Sequence, residues 1–200
     1  MQQEGLYTYV TLIVTQNKEQ VEIDLRSGRF VCPDCGESLR PHGHGRTRFV
    51  NSLNNNRIEI SPRRARCNSC KVTHVLLPEN LLIRRVNTVE VIGSALLNKS
   101  QGHSIRSISE VLSVPFTTVR GWIRRFNSKA DEIKSKFLSL ALKSDPNLNN
   151  IPPTRSPFND AICVIGTALI ALKLRIGETG YWHAVSRITK GELLFNTNSP

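Results

Sequence analysis

Apolar positions recur along the chain with two different periods, and the change falls near Pro78. Tyr7 to Thr15 is rich in β-branched and aromatic residues and predicts a strand. Lys18 to Arg26 carries Val21 and Leu25 one helical turn apart and ends at Ser27-Gly28, which predicts a short helix capped by Gly28. Alternation at Val21, Ile23 and Leu25 would also suit a strand; the helix is preferred. Arg29 to Leu77 is broken up by Cys, Gly, Pro and Asn. Short extended pieces are expected at Arg46 to Val50, Arg57 to Ile60 and Arg63 to Cys67, with Asn54-Asn55-Asn56 at a hairpin tip. This segment has too little apolar content for an ordinary core, so something else must hold it.

Beyond Pro78 the period becomes helical. Thr88 to Lys99 places Val89, Ile92, Leu96 and Leu97 on one face, and Gly102 ends that helix. Ser104 caps the next, which runs to Leu112 with Ile105, Ile108, Val111 and Leu112 inward. Ser113-Val114-Pro115 is a break. A third helix runs to Phe126 with Val119, Trp122, Ile123 and Phe126 inward, and Ser128 to Lys143 continues helical. Asp145 to Pro157 is rich in Pro and Asn and reads as a linker. Pro157 to Ile176 is a mostly apolar helix, and Tyr181 to Leu194 predicts one more.

The fold class is therefore α+β: a small β-rich ribbon, an all-α bundle and C-terminal helices. The expected partition is an N-terminal strand and helix extension at 1–28, the ribbon at 29–80 and the bundle at 84–143. A linker at 144–157 and a C-terminal helical segment at 158–200 follow.

Charge sharpens this picture. The 200 residues carry 27 Lys and Arg against 16 Asp and Glu, a net +11 with neutral His, which is costly in self-repulsion unless a polyanion is near. The excess is concentrated. Arg40 to Lys71 holds eight basic residues and one acid, Glu59; Lys99 to Lys136 holds eight more against Glu110, Asp131 and Glu132. No secretory leader is read at the N-terminus, and the apolar run Ala161 to Leu172 is too short to span a bilayer, which needs about twenty residues. The expected setting is cytoplasmic and nucleoid-associated, with thiols reduced.

Four of the five cysteines form two pairs, Cys32-Pro-Asp-Cys35 and Cys67-Asn-Ser-Cys70, with thirty-one residues between them. The two-residue gap lets both sulfurs of a pair reach one metal, and Gly36 permits the tight turn after the first pair. Zn²⁺ takes four ligands in a tetrahedron, and thiolates hold it well. One structural Zn²⁺ on Cys32, Cys35, Cys67 and Cys70 would also supply the missing core energy. All four positions are then protein thiolates, so a catalytic zinc with an open position does not fit. His42, His44 and His74 lie close by in sequence and are expected to meet phosphate or solvent, substitution as ligands being the alternative. Cys163 is expected to be a small buried hydrophobe.

Ser104 to Phe126 has the helix, short turn, helix layout of a helix-turn-helix, whose second helix enters the DNA major groove. Burying Val119, Trp122, Ile123 and Phe126 turns Thr117, Thr118, Arg120, Gly121 and Arg124 outward. Thr hydroxyls suit phosphates or base edges, and Arg120 and Arg124 stand one turn apart. Gly121 suggests close backbone approach to a partner such as DNA. Arg125 belongs to the same basic helix, and Arg46, Arg48, Arg63 and Arg64 of the ribbon are expected to grip phosphates. The turn has Ser113 where Gly often sits. The plain alternative is a three-helix bundle with a solvated basic face.

Several blocks together carry a resemblance: Cys32-Pro-Asp-Cys35-Gly36, Leu39-Arg40-Pro41-His42-Gly43, Arg66-Cys67-Asn68-Ser69-Cys70 and Thr73-His74-Val75-Leu76-Leu77-Pro78. With Val114-Pro115, Thr118 to Phe126 and Asn196 to Pro200 they resemble an uncharacterised bacterial family carrying a domain of unknown function. The front half is also similar to the N-terminal zinc ribbon and helix-turn-helix of several insertion-sequence transposases. That similarity implies a link to mobile elements. The acids after Glu132 are Asp145, Asp160, Glu178 and Glu192, in a linker and a helical tail, which gives no basis for the clustered carboxylates of a two-metal nuclease.

The expected function is sequence-specific binding of double-stranded DNA, as a mobile-element accessory factor or a transcription regulator, with no enzymatic activity and no membrane association. The alternative is an adaptor that binds a transposase, recombinase or polymerase through the ribbon and C-terminal helices. A homodimer would predict a palindromic site.

Overall fold

A computed structural model describes residues 10–146, 148, 156–176 and 180–195 of the chain. It is mixed α and β, with a sheet region followed by helices. Strand β1 (Val10–Val14) leads into helix α1 (Lys18–Arg26). Asn17 caps α1, its side chain accepting from the Gln20 amide at 3.0 Å, and Val21 and Leu25 are its buried residues. The helical period wins over the alternating one because Ile23, the position a strand would bury, is 57% exposed. Of the expected first strand, Tyr7, Thr8 and Tyr9 lie outside the described residues.

Four strands make the first sheet, in the order β1-β6-β5-β2, with β2 at Leu39–His44, β5 at Arg63–Cys67 and β6 at Thr73–Pro78. β1 pairs in parallel with β6, from Val10 opposite His74 to Val14 opposite Pro78. β6 pairs antiparallel with β5, and β5 with β2. The residues read as an N-terminal extension thus supply an edge strand to the first sheet. Neither β2 nor β6 was expected. β2 contains Pro41 and Gly43 and buries only Leu39, and β6 is buried at His74, Leu76 and Leu77, so neither shows a clean alternation.

The second sheet is the hairpin β3 (Arg48–Asn51) and β4 (Arg57–Ile60). Its tip is a 3₁₀ turn, Leu53–Asn55, in which Asn54 and Asn55 have φ of 58° and 57°. Asn tolerates that left-handed region better than other side chains, which is why three of them mark the tip.

Seven helices are described. Beyond α1 they are α2 (Val89–Ser100), α3 (Ile105–Leu112), α4 (Phe116–Ser128), α5 (Ala130–Ser144), α6 (Pro157–Ile176) and α7 (Tyr181–Ile188). The last is shorter than expected: Thr189 to Gly191 turn the chain, and Lys190 and Gly191 both have positive φ. The stretch read as a linker falls mostly on residues outside the described set.

Three apolar cores follow from this order. A small one under the first sheet contains Val14, Val21, Leu25, Cys32, Leu39, Ala65, Cys67 and Leu76. A smaller one joins the hairpin to the chain entering α2, through Val50, Ile60, Leu77 and Leu81. The largest unites α2 to α7 around Trp122, Phe126, Phe137, Ile165 and Trp182. Each fully buried large side chain there contributes about 1.5–3 kcal/mol. Phe126 and Phe158 meet edge to face at 4.9 Å, fixing α4 against α6. Lys134 on α5 pairs with the buried Asp160 of α6 at 2.8 Å. Gly93 is required: a Cβ there would come within 2.1 Å of the Trp182 ring.

Two expectations about burial are corrected. Val111 is 73% exposed, because Ile105, Ile108 and Leu112 already form the inward stripe of α3 and Val111 lies beyond its edge. Cys163 is also exposed: α6 has a buried stripe through Ala161, Ile162, Ile165, Ala168 and Leu169, and Cys163 and Ile170 share the opposite side. Among the described residues no helix is long and apolar enough to cross a membrane.

Candidate metal centre and nucleic-acid interface

Each cysteine pair sits in a short hairpin turn, and the two turns are built alike. In the first, the Cys32 amide donates to the Glu37 carbonyl at 2.7 Å and Gly36 has φ 76°. In the second, the Cys67 amide donates to the Val72 carbonyl at 3.0 Å and Lys71 has φ 63°. Both turns therefore place a left-handed residue directly after the second cysteine, and one uses Gly where the other tolerates Lys. The β2–β5 pairing, with Leu39 opposite Cys67, brings the turns together.

The four Sγ atoms lie within 4.8 Å of one another. Cys32 Sγ is 3.5 Å from Cys70 Sγ, and Cys35 Sγ is 3.4 Å from Cys67 Sγ. Four sulfurs at about 2.3 Å from one zinc in a tetrahedron would be about 3.8 Å apart, so the observed spacing fits such a donor set. Cys32 and Cys67 are buried, whereas Cys35 and Cys70 face outward.

The thiols do not ionise independently. Burial raises the Cys67 thiol, but the Cys70 amide, the Cys35 thiol and the Ser69 amide outweigh it and bring it down to about 7. For Cys70 the order is reversed. The Val72 amide lowers it, yet burial and the neighbouring Cys32, Cys67 and Cys35 thiols push it up to about 12. At Cys35 the Glu37 amide and the Cys70 thiol lower the thiol, but Cys67, burial and Cys32 outweigh them, for a net upward shift. A cluster that accepts one negative charge readily and resists the next is one that a divalent cation would stabilise. The cluster can hold a metal ion and is compatible with zinc.

His74 corrects an expectation. It is fully buried on β6, away from both phosphate and solvent, and its Nε2 lies 3.4 Å from Cys32 Sγ. Its Nδ1 has no hydrogen-bond partner among the described residues. With Cys32 and Asp34 it also forms a second set of three potential ligand groups. His42 and His44 are exposed on β2.

The helices expected to form a helix-turn-helix are α3 and α4, joined by Ser113 to Pro115. Ser104 caps α3, accepting from the Ser107 amide at 3.1 Å. Ser113 has φ 51°, so the turn adopts the left-handed conformation for which Gly is better suited, and Ser carries its cost. Val114 is buried behind it. Val119, Trp122 and Phe126 of α4 are buried.

Of the residues read as DNA contacts, Thr117, Arg120 and Arg124 are exposed on α4, and Thr118, Gly121 and Arg125 are half-buried. Arg120 lies over the ring of Phe116, 6.0 Å from its centroid; that aromatic, 44% exposed at the head of α4, was not read from the sequence. Arg46 is exposed, and Arg48 and Arg64 are half-buried. Arg63 is held inside the protein, its guanidinium engaging both carboxylate oxygens of Glu22 and the Gly43 carbonyl. Sequence reasoning also missed Arg84 and Arg85, which line a cleft against α4; two adjacent arginines just ahead of a helix start were the available signal.

Two paired-cysteine turns on a small sheet, followed by a helical core, define the class: an α and β chain with a four-thiol cluster that can hold a metal ion. The model of a family described as a domain of unknown function (DUF6431) matches residues 32–113, from the first cysteine of the cluster to the turn before α4. No curated protein and no solved structure matches the chain.

Proposed function

We propose that the protein is a zinc-containing, sequence-specific binder of double-stranded DNA, acting as a mobile-element accessory factor or a transcription regulator. One observation carries this reading. The inward side of α4 is fixed by Val119, Trp122 and Phe126, so Thr117, Arg120 and Arg124 share its exposed side on a rigid helical core. α4 contains Arg120, Arg124 and Arg125 and no acid. Such a helix suits a major groove, where arginine pairs with guanine edges and threonine with phosphates. The zinc would be structural, held by Cys32, Cys35, Cys67 and Cys70, with Arg46 and Arg48 placed on the ribbon to lengthen the footprint. No catalytic step is assigned to the chain.

Selection of bound duplexes from a random pool, with zinc-loaded protein at near-physiological salt, tests the reading. The expected result is an enriched motif that fades in Arg120→Ala and Arg124→Ala. Retention of no duplex at any salt overturns it.

A second reading, an adaptor for a recombinase or polymerase, is favoured by the exposed Phe49 and Ile58 of the ribbon hairpin, 55% and 37% accessible. Partner capture that survives Arg120→Ala and Arg124→Ala, together with failure of the selection, would support it.

A further inference from the structure

The segment Arg84 to Asn87 lies against the first turns of α4, and between them is a cleft with three arginines in its walls. Arg85, Arg125, Thr117 and Thr118 line it, and no carboxylate does among the described residues. Arg85 is anchored: its Nη2 donates to the Leu194 carbonyl at 2.7 Å, and its Nε is covered with no partner among the described residues. Arg84, in the same wall, lies over the ring of Phe195, 5.4 Å from its centroid.

Gly121 explains how Arg125 enters. A Cβ at that position would stand 3.0 Å from Arg125 Nη1, so the bare backbone lets the guanidinium lie back along its own helix. Arg125 and Arg85 are then near enough to repel: burial first, and Arg125 second, hold the Arg85 guanidinium below its ordinary range. Arginine cannot relieve such a pairing by losing its proton. Two guanidinium groups and two threonines lining one cleft suit a phosphate group, whose oxygens accept from arginine and hydroxyl donors alike.

We propose that this cleft is a phosphate-binding site, in which Arg85 and Arg125 hold the oxygens of one phosphate group and Thr118 donates a third hydrogen bond. A phosphodiester of duplex DNA is one source, and that part rests on the function proposed above. A free phosphorylated ligand is the other. On the duplex the site would fix the register of α4 without reading sequence, because phosphate contacts position and base contacts specify.

The experiment uses the full zinc-loaded chain, wild type and Arg125→Gln, with Thr118→Val as a second variant that leaves both charges in place. Inorganic phosphate is titrated against chloride at matched ionic strength, following the melting temperature. Duplex affinity is then measured against salt. A phosphate-specific rise in melting temperature, lost in Arg125→Gln and reduced in Thr118→Val, is expected. So is a fall of about one in the salt slope of duplex binding in Arg125→Gln, with sequence preference unchanged. A phosphate response lost in the variants with an unchanged salt slope keeps the site and assigns it to a free ligand. The same response in a protein that binds no duplex keeps the site and removes the proposed function. Duplex binding with no phosphate response and no change in salt slope overturns the site and leaves the function standing.

Discussion

His74 Nε2 lies 3.4 Å from Cys32 Sγ, which links a fully buried imidazole to one of the four thiols of the cluster. With a metal bound, Cys32 is a thiolate and only accepts. The ring must then present Nε2–H to sulfur and keep Nδ1 bare, which suits an Nδ1 that has no partner among the described residues. A hydrogen bond of this kind drains charge from the thiolate and fixes its orientation. His74→Phe should weaken zinc binding about 10–100-fold in chelator competition. His74→Gln, which retains an N–H donor, should lose less. Equal affinity in wild type and His74→Phe would reduce the ring to packing.

With zinc in the cluster as proposed, its removal should unfold the molecule unevenly. The core under the first sheet is small and includes Cys32 and Cys67 themselves, whereas the helical core is several times larger. Chelation should therefore abolish hydrogen-exchange protection in β5 and β6 and leave the amides of α4 protected. Equal loss in α4 would mean one cooperative unit. Cys163→Ser should keep the full zinc content, because Cys163 is exposed on α6, outside the cluster.

Gly93→Ala should destabilise the protein by about 1–3 kcal/mol, since the new methyl would overlap the Trp182 ring. Thermal melts of Gly93→Ala, Trp182→Leu and the double variant provide the check. Strong non-additivity is expected, and simple addition would mean that α2 shifts instead.

Ser113→Gly should stabilise by about 0.5–1 kcal/mol, because a left-handed residue without a Cβ avoids a steric cost of about 1–2 kcal/mol but loses more chain entropy on folding. Ser113→Val should destabilise, and the duplex binding proposed above should track whichever variant preserves the turn. A melting temperature unmoved by either change would show that the turn is unstrained.

The helices were legible because their signals are local. Gly28 and Ser104 as caps, the stripe Val119, Trp122 and Phe126, and the Asn-rich hairpin tip all act within a few residues. The cysteine spacing was equally plain, since two residues between thiols is what a shared metal requires. What stayed hidden depends on distant partners. β1 and β6 pair in parallel although they are far apart in the chain, and nothing in Thr73 to Pro78 alone announces that neighbour. His74 could not be told from an exposed histidine without knowing that its strand is central. Cys163 and Val111 were misjudged because an apolar helix leaves open which of its apolar residues the neighbouring helices reach.

The first strand is closed by the end of the described chain. Gly191, with φ 76°, packs against Ile13, the Ile83 amide donates to the Gly191 carbonyl at 2.9 Å, and the Gln16 amide lies 3.1 Å from His183, 167 residues away. During synthesis β1 emerges well before Gly191 and His183. A ribosome that stalls before residue 180 would release a chain whose sheet edge and whose α2 surface at Gly93 are both uncovered, a form that quality-control proteases would find readily.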